Sequence, residues 1–252
     1  MQFGICHLSA VPVRENADNL SAMQSQLLYG DCFKIKESRK FWSRVETLND
    51  KFEGWVLNNQ FRVLTEDEYA SIIENKNICF NGDLVSYVSD ESEELIAIPL
   101  GANIGFCEIF QHLFEGQQHL IKKSLRNSLV DTAILYLNSP FVLGGKTPFG
   151  IDPSGFTQMI YKMHGIMLFR TIEQQATQGY PLSFIEESEP GDLAFFDDKD
   201  GVIDHVGMLL QNNYIIHVHE KVRIDRIDHT GIFNTEERMY SHKLRVIKKI
   251  IE

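Results

Sequence analysis

The chain has 252 residues, 43% hydrophobic and 23% charged, with 24 basic against 35 acidic side chains and a formal net charge of −11. That length suits one large domain or two to three small ones, and the composition supplies an ordinary globular core. The acidic balance excludes a general nucleic-acid binder, which needs cations for phosphates, and no apolar run is long enough to span a membrane.

The first residues, Met1-Gln2-Phe3-Gly4-Ile5-Cys6-His7, lack a basic stretch followed by an apolar core and a cleavage site. No signal peptide is read there, and the expected compartment is the cytoplasm. Cys6, Cys32, Cys79 and Cys107 are scattered without CxxC spacing, which points to buried free thiols rather than a zinc site or a disulfide framework.

Residues 1–64 read as short strands and turns. Leu27-Leu28-Tyr29-Gly30-Asp31 enters a turn, Phe33 to Lys36 alternates, and Phe41 to Val45 and Phe52 to Val56 follow, the last containing Gly54-Trp55. The pattern predicts a small β-barrel. Residues 65–124 begin with Thr65-Glu66-Asp67-Glu68, a helix start with a capping box and acids placed for the helix dipole. From Ile78 to Gly116 further short strands are expected, as a second, degenerate barrel or as a spacer; both readings stay open.

Residues 125–252 change character. Leu129, Ala133, Ile134 and Leu137 recur at helical spacing. A Gly/Pro-rich loop from Asn138 to Gly150 leads into Asp152-Pro153-Ser154-Gly155. Asp152 is a good N-cap there, Pro153 suits the first helical position, and a helix runs to His164. Strands are expected over Asp192–Phe196, His205–Leu210, Tyr214–His217, Val222–Asp225 and Leu244–Ile250. Helix followed by antiparallel sheet predicts an α+β class.

Several of these segments also carry a family resemblance. "VPVREN", "LLYGDCFKI" and "FEGWV" resemble a bacterial SH3-like domain. "YLNSPFVLGGKTPFGIDPSGFTQMIYKMHGI", "EPGDLAFFD", "DHVGMLL" and "IIHVHEKVRID" resemble the NlpC/p60 family of cell-wall cysteine peptidases. That family has a papain-like fold, and the resemblance extends to its γ-D-glutamyl-L-diamino acid endopeptidases. It implies an SH3-like barrel ahead of a papain-like domain. In such a domain a thiolate at a helix N-terminus attacks the peptide, one histidine moves the proton, and a third polar group orients that histidine. His205 and His217 fall at the two histidine positions. The nucleophile of the family motif Asp-Cys-Ser-Gly falls at Pro153, whose ring offers neither nucleophile nor N–H donor.

The resemblance also implies a substrate pocket that reads a free amine. Asp152 is retained there. Phe141 stands where the family has tyrosine, and Thr171 and Ile172 where it has an acid and a small residue. Ser154 adjoins the lost nucleophile but is rotated about 100° away along the helix. No cofactor is expected. No metal is expected either: His217 and His219 alternate on a strand, and no third ligand is evident. The implied partner is a cell-wall peptide, or muropeptide, or else a protein. Three readings stay open: a pseudoenzyme, an active peptidase with another nucleophile or altered at position 153, and a non-catalytic interaction module.

Overall fold

The computed structural model describes residues 2–75, 78–121 and 126–251. The chain divides into two compact units, Met1–Lys122 with Leu143–Pro148, and Lys123–Val142 with Phe149–Glu252. The boundary expected between residues 124 and 125 lies outside the described residues.

The first unit opens with seven short strands: β1 (Gln2–Ile5), β2 (Ala10–Arg14), β3 (Met23–Leu28), β4 (Cys32–Ser38), β5 (Trp42–Thr47), β6 (Glu53–Leu57) and β7 (Arg62–Val63). They pair in the order β3-β2-β6-β5-β4-β1-β7. Alternation turns Val11, Val13, Leu27, Phe33, Val45 and Val56 into one core with Cys6 and Phe61. Trp55 is nearly buried, with the Arg39 guanidinium 4.2 Å above its ring. This is the SH3-like barrel. Helix α1 (Glu66–Glu74) follows, and Thr65 and Glu68 form the expected capping box.

Beyond it lie β8 (Cys79–Asn81), β9 (Val85–Ser89), β10 (Leu95–Pro99), the short helix α2 (Cys107–Phe110), β11 (Leu113–Glu115) and β12 (Gln118–Leu120). They make two small sheets, β10-β9-β11 and β12-β8. Their core takes Tyr29 from the barrel, together with Cys79, Val88, Ile98, Ala102, Ile104 and Cys107. None of the four cysteines forms a disulfide among the described residues. The loop residues Gly144 and Lys146 also belong to this unit, where the Lys146 N–H donates to Gln26 Oε1 at 2.7 Å.

Gly30 is what lets Tyr29 reach that second core. Its φ is +78°, and a Cβ there would stand 2.0 Å from the Asn103 carbonyl oxygen. The Asn103 N–H donates to the Tyr29 carbonyl at 2.8 Å.

In the second unit, α3 (Arg126–Leu135) and α4 (Pro153–Met163) carry the helical layer, with the short α5 (Ile172–Gln175). The two-residue strands β13 (Lys146–Thr147) and β14 (Gly150–Ile151) precede α4 in sequence. The sheet consists of β15 (Tyr180–Leu182), β16 (Leu193–Asp197), β17 (Ile203–Leu209), β18 (Tyr214–His219), β19 (Lys221–Ile227), β20 (Gly231–Asn234) and β21 (Met239–Lys249). Its order is β15-β21-β16-β17-β18-β19-β20, and β21 pairs with β20 as well. The early part of β21 pairs with β20 and the later part with β16, which closes the sheet on itself. Irregular register at Phe195/Phe196 and at Ile232/Phe233 supplies bends of the kind closure needs. Ala194, Phe196, Leu209, Ile215, Ile227, Ile232 and Ile247 form the core of one face.

Among the described residues no helix is long and apolar enough to cross a membrane. For the first unit, Gly30→Ala is expected to cost about 2 kcal/mol or more. A left-handed backbone alone costs an L-residue roughly 1–2 kcal/mol, and the Asn103 carbonyl must also move. Urea unfolding of the two proteins measures it.

Candidate active site

Five successive strands of the closed sheet each deliver polar groups to one place. His205 comes from β17, His217 and His219 from β18, Arg223 and Asp225 from β19, Asn234 from β20 and His242 from β21. Gly207 lies directly opposite His217, and His217 opposite Arg223. Residues two apart on a strand share a face. The histidines therefore stand on the face that carries Leu209 and Ile215, and the Phe196 ring of that core lies 5.8 Å from the His205 ring.

The hydrogen bonds form a single chain. Arg223 Nε donates to Asp225 Oδ2 at 2.6 Å and Nη2 to Oδ1 at 3.1 Å, and Nη2 also donates to Asn234 Oδ1 at 3.2 Å. Asp225 Oδ2 lies 3.0 Å from His217 Nε2, and His217 Nδ1 lies 2.9 Å from His205 Nε2. Burial pushes the Asp225 carboxyl up, but hydrogen bonds from His217 and Arg223 outweigh it and hold the group below the ordinary aspartate value. Asp225 is therefore an ionised acceptor.

That charge places every proton above it. His217 Nε2–H must donate to Asp225, which leaves a lone pair on Nδ1. His205 Nε2–H then donates to His217, which leaves the lone pair of His205 on Nδ1. Burial, with the neighbouring imidazoles His242, His217 and His219, holds His205 well below the usual histidine value. Burial lowers His217 too, against the pull of Asp225. The arrangement is a neutral, oriented imidazole with an unshared pair, the form a general base requires.

The start of α4 forms a second cluster. Asp152 is its N-cap and Pro153 its first residue, and Asp152 Oδ1 accepts from the Gly155 N–H at 2.7 Å. The buried Arg170 guanidinium donates to Asp152 Oδ2 at 2.6 Å and Oδ1 at 3.1 Å, and to Ser154 Oγ at 2.8 Å. Ser154 Oγ in turn donates to Asp152 Oδ1 at 3.3 Å. Thr171 caps α5 by accepting from the Gln174 N–H, and Ile172 is the first residue of that helix. Phe141 is 46% exposed, and its N–H donates to the Glu220 carbonyl.

The sequence and the fold are similar to those of known proteins. The NlpC/P60 family matches residues 138–243, and the bacterial dipeptidyl-peptidase SH3 domain matches residues 13–61. A gamma-D-glutamyl-L-lysine dipeptidyl-peptidase of Bacillus cereus is 35% identical over 228 residues, covering 79% of this chain and 68% of that protein. The chain belongs to the NlpC/P60 family. Dipeptidyl-peptidase 6 of Lysinibacillus sphaericus is 32% identical over 112 residues, but the match spans only 36% of that protein and 44% of this one. The crystal structure of an NlpC/P60 family protein from Bacillus cereus shares the fold, with a TM-score of 0.78 over 99% of this chain and all of that one at 17% identity.

Within this NlpC/P60 chain, the sequence reading placed His205 and His217 in adjoining roles, and the structure sets them 2.9 Å apart. Asp225 and Arg223 escaped it, although they follow at alternate positions in "KVRID" and strand periodicity would have put them on the histidine face. Asn234 and His242 carried no local signal. Arg170, which directly precedes Thr171, was not among the residues expected at the site. In the fold both Asp152 oxygens accept hydrogen bonds from its guanidinium, on the carboxylate expected to meet a substrate amine.

Gly207 is the hinge of this geometry. A Cβ there would stand 2.8 Å from the His217 Cβ and from Ile215 Cδ1. Gly207→Ala is expected to cost about 1–3 kcal/mol in urea unfolding, the range for overpacking a filled site. It should also abolish the slowly exchanging imidazole N–H resonances of the His205–His217–Asp225 chain in NMR spectra.

The same burial makes the fold acid-sensitive. Unfolded histidines titrate near 6.5, whereas burial and the neighbouring imidazoles lower His205, His217 and His242, the last to about 3. Below about pH 6.5 the unfolded chain therefore binds more protons than the folded one, so stability falls on acidification and returns as pH rises. The urea midpoint should drop steadily from about pH 7 toward pH 4, and less steeply in His242→Phe.

Proposed function

We propose that this chain is a non-hydrolysing member of the family that binds γ-D-glutamyl peptides of the cell wall. The observation that carries this reading is Pro153. It is the first residue of α4, directly after the N-cap Asp152, the position that the family motif gives to the cysteine. A thiolate there would gain from the helix N-terminus. A pyrrolidine ring can neither attack a carbonyl carbon nor donate an N–H to the developing oxyanion.

Two of the thiols, Cys79 and Cys107, do not favour rescue. Burial raises both, which opposes thiolate formation. Ser154, the nearest hydroxyl in sequence, is engaged with Arg170 and Asp152. The Asp152–Arg170 pair further supports a changed pocket, because a ligand ammonium must compete with a buried guanidinium for the same carboxylate. The choice of ligand rests on the name of the Bacillus cereus relative, a gamma-D-glutamyl-L-lysine dipeptidyl-peptidase, and on the retained histidine relay.

Hydrolysis of L-Ala-γ-D-Glu-diaminopimelate, followed by mass spectrometry, tests the reading. The native protein should release no product. Pro153→Cys should cleave at a rate on the order of 10²-fold or more above the uncatalysed background, and Pro153→Cys/His205→Ala should lose that gain. Cleavage by the native protein that depends on His205 would overturn the proposal and require a nucleophile elsewhere. If Pro153→Cys also fails, titration calorimetry with the same peptide decides whether binding survives; no heat of binding would overturn the ligand assignment.

A further inference from the structure

Three imidazoles gather where the sheet closes. One ring nitrogen from each of His205, His217 and His242 lies within 4.8 Å of the others. His205 and His217 are buried and His242 is half-buried. We propose that these three histidines bind a divalent transition-metal ion of the zinc class; the proposal does not rest on the peptide reading above, although His205 and His217 figure in both.

The donor set selects the ion. Three neutral imidazoles suit Zn²⁺, Co²⁺, Ni²⁺ or Cu²⁺, whereas Mg²⁺ and Ca²⁺ want oxygen ligands. No side-chain oxygen belongs to the triad. Three histidines also leave a fourth tetrahedral position for water, as in open zinc sites.

The outer support is already in place. His217 Nε2–H donates to Asp225, which Arg223 holds through both oxygens. A carboxylate behind a ligating histidine fixes the ring and raises its basicity toward a metal on the other nitrogen. That other nitrogen is Nδ1, the one facing His205.

Distances show what must move. With metal–nitrogen bonds of about 2.0–2.1 Å, tetrahedral ligand nitrogens stand about 3.3–3.4 Å apart. His205 Nε2 and His217 Nδ1 are now 2.9 Å apart, so they separate by a few tenths of an ångström as the ion replaces the proton between them. That proton passes to His205 Nδ1, which keeps the imidazole neutral. His242 moves more. Its ring stacks on His205 with centroids 3.9 Å apart and planes 24° apart, so the lone pairs run side by side. Rotation about its side-chain bonds turns a nitrogen inward, and its Nδ1 partner is the hydroxyl of the adjacent Ser241.

The test uses the full chain, stripped with a chelator and desalted. Zn²⁺ titration by calorimetry at neutral pH should show one strong site per chain. Co²⁺ should give the intense visible absorption of a tetrahedral ion. His242→Ala should weaken Zn²⁺ binding about 100-fold, and Asp225→Asn about 10- to 100-fold, the range for lost outer-shell support. Circular dichroism checks each fold, and His242→Gln replaces the alanine variant if that one unfolds. No strong site in the native chain overturns the proposal. So does unchanged affinity in a folded His242 variant, which would place the ion on other surface groups.

Discussion

A carboxylate enclosed among strands would ordinarily take up a proton, and Asp225 does not because hydrogen bonds from His217 and from its ion-pair partner Arg223, which grips both of its oxygens, outweigh the burial. The rest of the site follows from that ion pair. An ionised Asp225 demands the proton on His217 Nε2, and this dictates the tautomer of His217 and then of His205. Were the carboxyl neutral, either nitrogen of either ring could carry the proton and the chain would lose its direction. Arg223 in turn is fixed by Asn234 and by an ion pair at 3.1 Å with the exposed Glu236. Orientation therefore passes inward from β20 and the turn after it, through β19 to β18 and β17.

The start of α4 works on different terms. Proline is tolerated there because the first helical N–H has no partner within a helix, so its loss costs the fold little. Asp152 keeps its capping duty whether or not a nucleophile follows it. The helix start thus stands in contrast to the histidine chain, which is held by a separate set of hydrogen bonds. Arg170 deepens the contrast by turning the Asp152 charge inward, toward the protein rather than toward solvent.

Much of this was legible in the residues. Alternating apolar positions announced the barrel strands, Thr65 and Glu68 announced α1, and the ordered motifs around His205 and His217 announced the second unit. The parts that escaped share one physical cause. Asn234 and His242 reach the site only because β21 pairs on both sides, and closure of a sheet is a long-range event with no local pattern. The expected strand from Leu244 covered only the half of β21 that meets β16. The first half, which meets β20 and brings in His242, has mixed polar residues and a half-exposed surface that reads as loop. Similarly, nothing near Arg170 announces that it turns back to Asp152.

The double pairing of β21 also sets an order of events. Leu193 of β16 pairs with Lys248, and Gly231 of β20 with Lys243. Until the last strand arrives, β16 and β20 are both open edges with unpaired backbone groups, the kind of surface that recruits strands from other chains. In chain order the helices and the strands from β16 to β20 precede β21, and without β21 the sheet is unclosed. The final strand then acts as a lock, sealing two edges at once and completing the histidine cluster in the same step. Closure over such sequence separation is slow compared with hairpin formation. The interval before it is when this sheet is most exposed to misassembly through its two open edges.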